Sequence, residues 1–279
     1  MSHLMNNYGR LPVSFDHGQG VWLWDKEGHK YLDALAGIAV NSVGHAHPRL
    51  VRAIADQASK LIHCSNYFNI DLQEKVAEKL VEHSGLEAVF FCNSGLEANE
   101  CAIKIARKFG HAKGIEVPNI IVLKHAFHGR SIATLSATGN PSVREDFSPY
   151  TEGFIFVDES DLDGIRKIVE ENKNVVAIFF EPILGEGGVV PIDLSVIKGI
   201  REICDEHDLL MMCDEVQCGM GRSGKWFAHQ WAEIKPDVIT MAKGLAGGVP
   251  VGAVIVSEKA NIFKPGNHGS TFGGNPLAM

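Results

Sequence analysis

The stretch Asp237-Val-Ile-Thr-Met-Ala-Lys243-Gly244 decides the fold. Residues 238–242 make a short apolar run rich in β-formers, which reads as a buried strand with a lysine at its C-terminal end. Gly244, Gly247 and Gly248 then turn the chain. A lysine in that position is costly to desolvate, so it either snorkels outward or does chemistry. Upstream, Leu209-Leu-Met-Met-Cys213 is a second apolar run, and it ends on Asp214. The interval between Asp214 and Lys243 fits a helix and a return strand, so the acid and the amine reach neighbouring strand ends.

The same pattern extends outward. Apolar runs at residues 88–92, 119–123, 153–157, 175–180 and 251–256 read as strands, and helical periodicity covers 97–109, 162–171 and 195–206. Near-continuous apolar strands separated by helices predict an α/β fold: a mostly parallel central sheet with helices on both faces. Nearer the N-terminus, Gly20-Val-Trp-Leu-Trp-Asp25-Lys-Glu-Gly28-His-Lys-Tyr-Leu-Asp33 alternates around a turn and predicts a hairpin. Pro48 opens a helix with Leu50, Val51, Ile54, Ala58 and Leu61 on one face. Asp71 and Glu74 have the spacing of a capping box, and Gly85 closes the helix they begin. At the other end, Gly274-Asn275-Pro276 reads as the start of a helix. About one turn of helix is marginal in isolation, so the sequence is expected to belong to a longer protein.

Composition narrows the function. The 279 residues are 45% hydrophobic and 22% charged, which suits a globular core. A net charge of −8 argues against a nucleic-acid partner. No apolar run reaches membrane-spanning length and no signal pattern opens the chain, so no membrane partner and a cytoplasmic location are expected. Six cysteines occur without a CxxC pair and read as small core residues. His45-Ala-His47 has no cysteine or carboxylate beside it, so it reads as loop structure and no metal site is expected.

In open α/β sheets ligands bind beyond the carboxyl ends of the strands. Asn93-Ser94-Gly95-Leu96-Glu97 joins a strand to a helix there. Ser94 and Glu97 make a capping box, and the free N–H groups of a helix start suit a phosphate, although a capped helix with no ligand has the same pattern. Phe127-His128-Gly129-Arg130 offers a ring to stack and a guanidinium to fork a carboxylate, or simply a core ring and a surface charge. Glu181-Pro-Ile-Leu-Gly185-Glu186-Gly-Gly reads as a loop shaped around a ligand or as a solvated turn. His268-Gly-Ser270-Thr271-Phe-Gly-Gly-Asn275 cradles a phosphate or merely turns, and it lacks the GxxxxGK[ST] pattern of a P-loop. Asp214, buried behind five apolar residues, needs a cationic partner to stay charged. A strand-end amine and a strand-end acid together are what pyridoxal 5′-phosphate (PLP) requires: the amine binds the cofactor covalently and the acid keeps its ring nitrogen protonated.

Taken in order along one sheet, these motifs resemble the class III (ω-) aminotransferases of PLP fold type I. The resemblance rests on the Trp hairpin, Gly44-His-Ala-His-Pro48, Asn93-Ser-Gly95, Phe127-His-Gly-Arg130, Glu181-Pro, Gly185-Glu186-Gly, Asp214-Glu-Val-Gln217-Cys-Gly-Met-Gly-Arg222, Lys243-Gly244 and Gly269-Ser-Thr271-Phe-Gly-Gly. It implies that Lys243 is the lysine bound to the cofactor, that Asp214 pairs with the ring nitrogen and that Gln217 lies near the ring hydroxyl. It places Val216 and Phe127 on the two ring faces, Gly95 and Leu96 at the phosphate, and Glu215 within the cofactor-binding stretch. It implies that Thr271 reaches the phosphate across a homodimer interface, with Ser270 beside it near the substrate. Arg130 would bind the substrate carboxylate, and Glu186 would act as a gate. Leu96 departs from the small or hydroxyl residue usual in the family, and Leu184 from the usual glutamine.

The resemblance further implies a small-domain contribution from residues 1–56, a PLP-binding large domain over 57–279, and a C-terminal small domain outside this sequence. The implied reaction transfers the terminal amino group of N2-acetylornithine, or of succinylornithine, ornithine or another ω-amine, to the 2-oxo acid 2-oxoglutarate, in arginine biosynthesis. A mutase, racemase or decarboxylase on the same scaffold would turn over without a 2-oxo acid. A non-catalytic fragment is the remaining alternative.

Overall fold

A computed structural model describes residues 3–279 of the chain. An N-terminal three-stranded antiparallel sheet comprises β1 (Phe15–Gln19), β2 (Trp22–Asp25) and β3 (Lys30–Leu32). The predicted hairpin is β2–β3, and β1 adds a strand that alternation around the turn did not reveal. Asp25 holds the hairpin turn by accepting from the Glu27 and His29 amides and from the Tyr31 hydroxyl. After a four-residue turn, α1 (Ala36–Ala39), come α2 (Pro48–Ala58) and α3 (Asp71–Ser84). The expected domain boundary between residues 56 and 57 falls inside α2.

At α3 the predicted capping box does not form. Asp71 is already the first helical residue, Ile70 stands at the cap, and no side chain caps the helix. The acids instead lie in the first turn, where they complement the positive end of the helix dipole. Gly85 does close the helix, in the left-handed conformation.

The central sheet has seven strands in the order β4-β12-β11-β10-β7-β5-β6. These are β4 (Ala88–Cys92), β5 (Asn119–Leu123), β6 (Phe154–Val157), β7 (Val175–Phe180), β10 (Leu210–Asp214), β11 (Val238–Met241) and β12 (Gly252–Val256). Only β12 runs against its neighbours, so the mostly parallel expectation holds. The connections supply α4 (Gly95–Ala112), α5 (Ile132–Ala137), α6 (Leu162–Glu171) and α7 (Leu194–Glu206). A small hairpin of β8 (Ile183–Leu184) and β9 (Val190–Pro191) leaves the end of β7. Among the described residues no helix is long and apolar enough to cross a membrane.

Strand alternation sorts the core. Ile120, Val122, Ala177, Phe179, Leu210, Met212 and Val238 pack with α4 residues Ala98, Cys101, Ala102, Ile105 and Phe109. Ile121, Leu123, Ile178, Phe180, Met211 and Cys213 face the other way, onto α6 and α7 through Ile165, Val169, Ile197, Ile200 and Ile203. Side chains two apart on a strand share a face. Continuing the α4-facing series one step beyond the last apolar residue gives Glu181 after Phe179 and Asp214 after Met212. Both acids therefore point toward α4, and the register that pairs Cys213 with Phe180 sets them side by side at the carboxyl rim.

At the far end of the chain Asn275 accepts from the Ala278 amide through Oδ1, as the predicted cap requires. The residues beyond it make turns.

Candidate active site

A cavity of about 330 Å³ opens at the carboxyl rim. It is lined from four strand ends and one helix start: Lys243 and Ala242 after β11, Asp214, Val216 and Gln217 after β10, Glu181 and Glu186 after β7, Phe127 to Arg130 after β5, and Gly95, Leu96 and Asn99 from α4. A larger hollow, about 700 Å³, lies at the opposite ends of the strands, where Arg201 is already engaged by Asp205 and Asp237.

Lys243 stands just beyond β11, which stops at Met241. Its φ of 44° is in the left-handed region, which a non-glycine residue occupies only under constraint from its surroundings. The chain thereby leaves the strand direction and delivers the lysine to the cavity wall. Asp214 is 3% exposed. Its Oδ2 accepts from Asn99 Nδ2 at 2.7 Å and from His128 Nδ1 at 2.8 Å, while Oδ1 accepts from the Val216 amide at 3.0 Å. A carboxylate only accepts, so His128 carries its proton on Nδ1. Its Nε2 has no partner, and the ring stacks on Phe179 at 4.1 Å. Three N–H donors thus satisfy a buried negative charge.

Glu181, 4% exposed, accepts from the Phe127 amide at 2.8 Å and the Gly185 amide at 3.1 Å. Burial, with the Asp214 carboxylate nearby, pushes its carboxyl up to about 7.

On α4, Ser94 Oγ accepts from the Glu97 amide at 3.2 Å, the first half of the predicted capping box. The reciprocal half is displaced by one residue, because the Glu97 carboxylate takes the Asn93 amide. The N–H groups of Gly95 and Leu96, first in the helix, have no carbonyl within it to bond. Gly95 presses on Val216: a Cβ there would lie 2.6 Å from Val216 Cγ1, so any larger residue would dislodge that wall. Leu96 lines the cavity.

The predicted residues that converge here are Lys243, Asp214, Gly95, Leu96, Phe127, Val216, Gln217, Arg130 and Glu186. Glu215 does not. Its carboxylate is turned inward onto the Ala228 and His229 amides at 2.7 and 2.8 Å and onto His229 Nδ1. Neighbours on an extended segment point to opposite sides, so Asp214 and Glu215 cannot both face the cavity. Ser270 and Thr271 lie elsewhere, in a second cleft of about 310 Å³ with Asn93, Glu97 and His268. Asn99, His128 and Glu181 had no role assigned from the sequence. For Glu181 and Asp214 the signal was present in the shared strand alternation, whereas the reach of Asn99 from α4 is a packing contact without a local pattern.

The donor set fits a flat cationic heterocycle carrying a phosphate. The cavity offers an amine, a buried acid for a ring nitrogen, an apolar wall at Val216, an aromatic at Phe127 and unpartnered helix-start amides. An α/β scaffold with this site defines an aminotransferase-type PLP protein. The chain belongs to the class-III aminotransferase family, whose profile matches residues 4–279. It is 56% identical over 279 residues to the acetylornithine aminotransferase of Nitrosomonas europaea, covering all of this chain and 71% of that protein. The N-acetylornithine aminotransferase structure of Stenotrophomonas maltophilia K279a superposes with a TM-score of 0.82 at 39% identity, covering 97% of this chain and 66% of that one. An ornithine aminotransferase of Toxoplasma gondii, described with partial occupancy of PLP at the active site, superposes with a TM-score of 0.94 at 36% identity. It covers 99% of this chain and 66% of its own. The chain thus spans 71% of the curated relative and slightly under two thirds of the two solved chains.

Proposed function

We propose that this chain carries the cofactor site of an enzyme that transfers the terminal amino group of N2-acetylornithine to 2-oxoglutarate, giving the semialdehyde and glutamate, within arginine biosynthesis. The observation that carries the reading is the convergence of Lys243 and the thrice-bonded Asp214 on one cavity. PLP, when bound, supplies the carbonyl that receives the amine and the cationic ring that draws electrons from the reacting carbon. Asp214 holds the proton on the ring nitrogen. The Lys243 amine would carry the proton from the carbon bearing the transferred nitrogen to the cofactor carbon that receives that nitrogen, and would carry it the opposite way in the second half-reaction. Val216 and Phe127 would hold the ring, and the Gly95 and Leu96 amides would receive the phosphate. Arg130 binds the substrate carboxylate, and Glu186 stands at the rim as the gate.

The reading includes a homodimer in the cytoplasm. Thr271 and Ser270 lie outside the Lys243 cavity, so a phosphate contact from Thr271 calls for a second subunit. Tyr67 is 95%, Phe68 69% and Phe272 61% exposed, and Asn66 ties the segment before Tyr67 to that loop by donating to the Ser270 and Gly273 carbonyls, so these apolar side chains suit a partner. The small-domain role of residues 1–56 belongs to the same reading.

An amino-donor panel with 2-oxoglutarate as acceptor tests the function. N2-acetylornithine is expected to give the highest kcat/KM, and no turnover is expected without the 2-oxo acid. Turnover without an acceptor overturns the transaminase reading in favour of a mutase, racemase or decarboxylase.

A further inference from the structure

Glu181 bridges two loops that carry the charged residues at the cavity mouth. One of its oxygens accepts from the Phe127 amide, in the segment that continues to Arg130. The other accepts from the Gly185 amide, at the base of the turn that carries Glu186. Gly185 is in turn packed against Gln217, since a Cβ on it would lie 2.3 Å from Gln217 Oε1. The two loops also touch directly: a Cβ on Gly187 would stand 2.9 Å from the His125 carbonyl oxygen. The spacing between the loops is therefore fixed from inside by a carboxylate that accepts on both sides, and from outside by a glycine with no room for a methyl group.

Such a bracket suits a carboxylate and no other side chain of similar shape. An amide has one accepting oxygen and one donating nitrogen, so glutamine would confront one of the two N–H groups with a donor. Aspartate lacks the reach of the extra methylene.

We propose that Glu181 is a positioning residue that sets the gap between Arg130 and Glu186, and through it the length of amino donor that the site accepts. The donor-length part rests on the aminotransferase reading above; the bracket itself does not.

Hydrogen exchange on the cofactor-free protein at pH 8, where the Glu181 carboxyl is ionised, tests the bracket. In Glu181→Gln one of the two amides, Phe127 or Gly185, should exchange roughly 10-fold faster or more, and in Glu181→Ala both should. Gly187→Ala leaves Glu181 in place and forces the loops apart, so it should speed at least one of the same two amides even where the Glu181 variants do not fold. Unchanged exchange at both amides in every variant that folds overturns the proposal. Kinetics of the loaded enzyme then test the consequence. Glu181→Ala and Gly187→Ala should both raise KM for N2-acetylornithine about 10-fold with kcat within about 3-fold, and both should narrow the preference between longer and shorter donors. A fall in kcat at constant KM in Glu181→Ala, with Gly187→Ala unaffected, overturns the positioning role in favour of a direct one. Should the wild type transfer no ω-amine at all, the functional reading fails, and the exchange data alone still decide the bracket.

Discussion

His128 donates Nδ1–H to Asp214 Oδ2 at 2.8 Å while its ring lies on Phe179. The histidine is wholly enclosed, so the acid that lines the cavity is held by a group that solvent does not reach. A hydrogen bond to a charged group is worth about 1.5–3 kcal/mol. His128→Ala should therefore weaken PLP binding by about 10- to 100-fold. Asn99→Ala, which removes the other donor to the same oxygen, should act in the same direction. Fluorescence titration of the cofactor-free protein with PLP measures both.

Lys243→Ala should abolish covalent retention of the cofactor after borohydride reduction, read by intact-protein mass. On the proposed mechanism, which makes this amine the proton shuttle, it should also slow single-turnover amine transfer by about 1,000-fold or more. Retention of the parental rate would mean that another base serves that carbon.

Glu181 brings a pH dependence whose sign is fixed. Its carboxyl is raised from the ordinary value to about 7 in the folded chain. The folded state thus holds this proton more tightly than the unfolded state does. The associated stability is complete below about pH 4.5 and is lost as pH rises to about 7. The difference in unfolding free energy between wild type and Glu181→Gln should shift against the wild type across that window, by on the order of 2–3 kcal/mol. Urea denaturation of the cofactor-free proteins at pH 5 and pH 8 checks it.

Five of the six cysteines are buried. Burial pushes the Cys92, Cys101 and Cys204 thiols up to about 12, and those of Cys213 and Cys218 well above the ordinary value. Thiolate is the reactive form, so iodoacetamide at pH 8 should label the native chain at Cys64 alone and reach the others only in denaturant. Mass spectrometry of the labelled peptides gives the count. Early labelling of Cys92 would show that the end of β4 opens locally.

Much of this was legible in the residues themselves. The segments 119–123, 162–171 and 175–180 reappear as β5, α6 and β7 with the same limits, because short apolar runs (119–123, 175–180) and an apolar stripe at helical spacing (162–171), each bounded by turn residues, leave one way to be buried. Lys243 and Asp214 were found because a charge that closes an apolar run is an anomaly any reading meets. Asp71 misled, since a capping pattern does not say which residue begins the helix. Glu215 misled because the resemblance treats its stretch as a unit, whereas extended backbone sends adjacent side chains to opposite sides. Asn99 lies within a helix whose inner face is otherwise mostly apolar, and only the placement of α4 across the sheet shows that its amide meets an acid more than a hundred residues away.

The parity of the central strands has one more result. Asp214 and Glu181 continue the rows of Met212 and Phe179 that press on α4, so the reactive rim and the apolar cluster beneath that helix are two ends of one surface. A substitution that shifts α4 along that surface, such as a bulkier residue at Ala102, would carry Asn99 with it and retune the acid from a distance. Efforts to harden this protein by repacking beneath the helix would therefore register in cofactor affinity as well as in melting temperature.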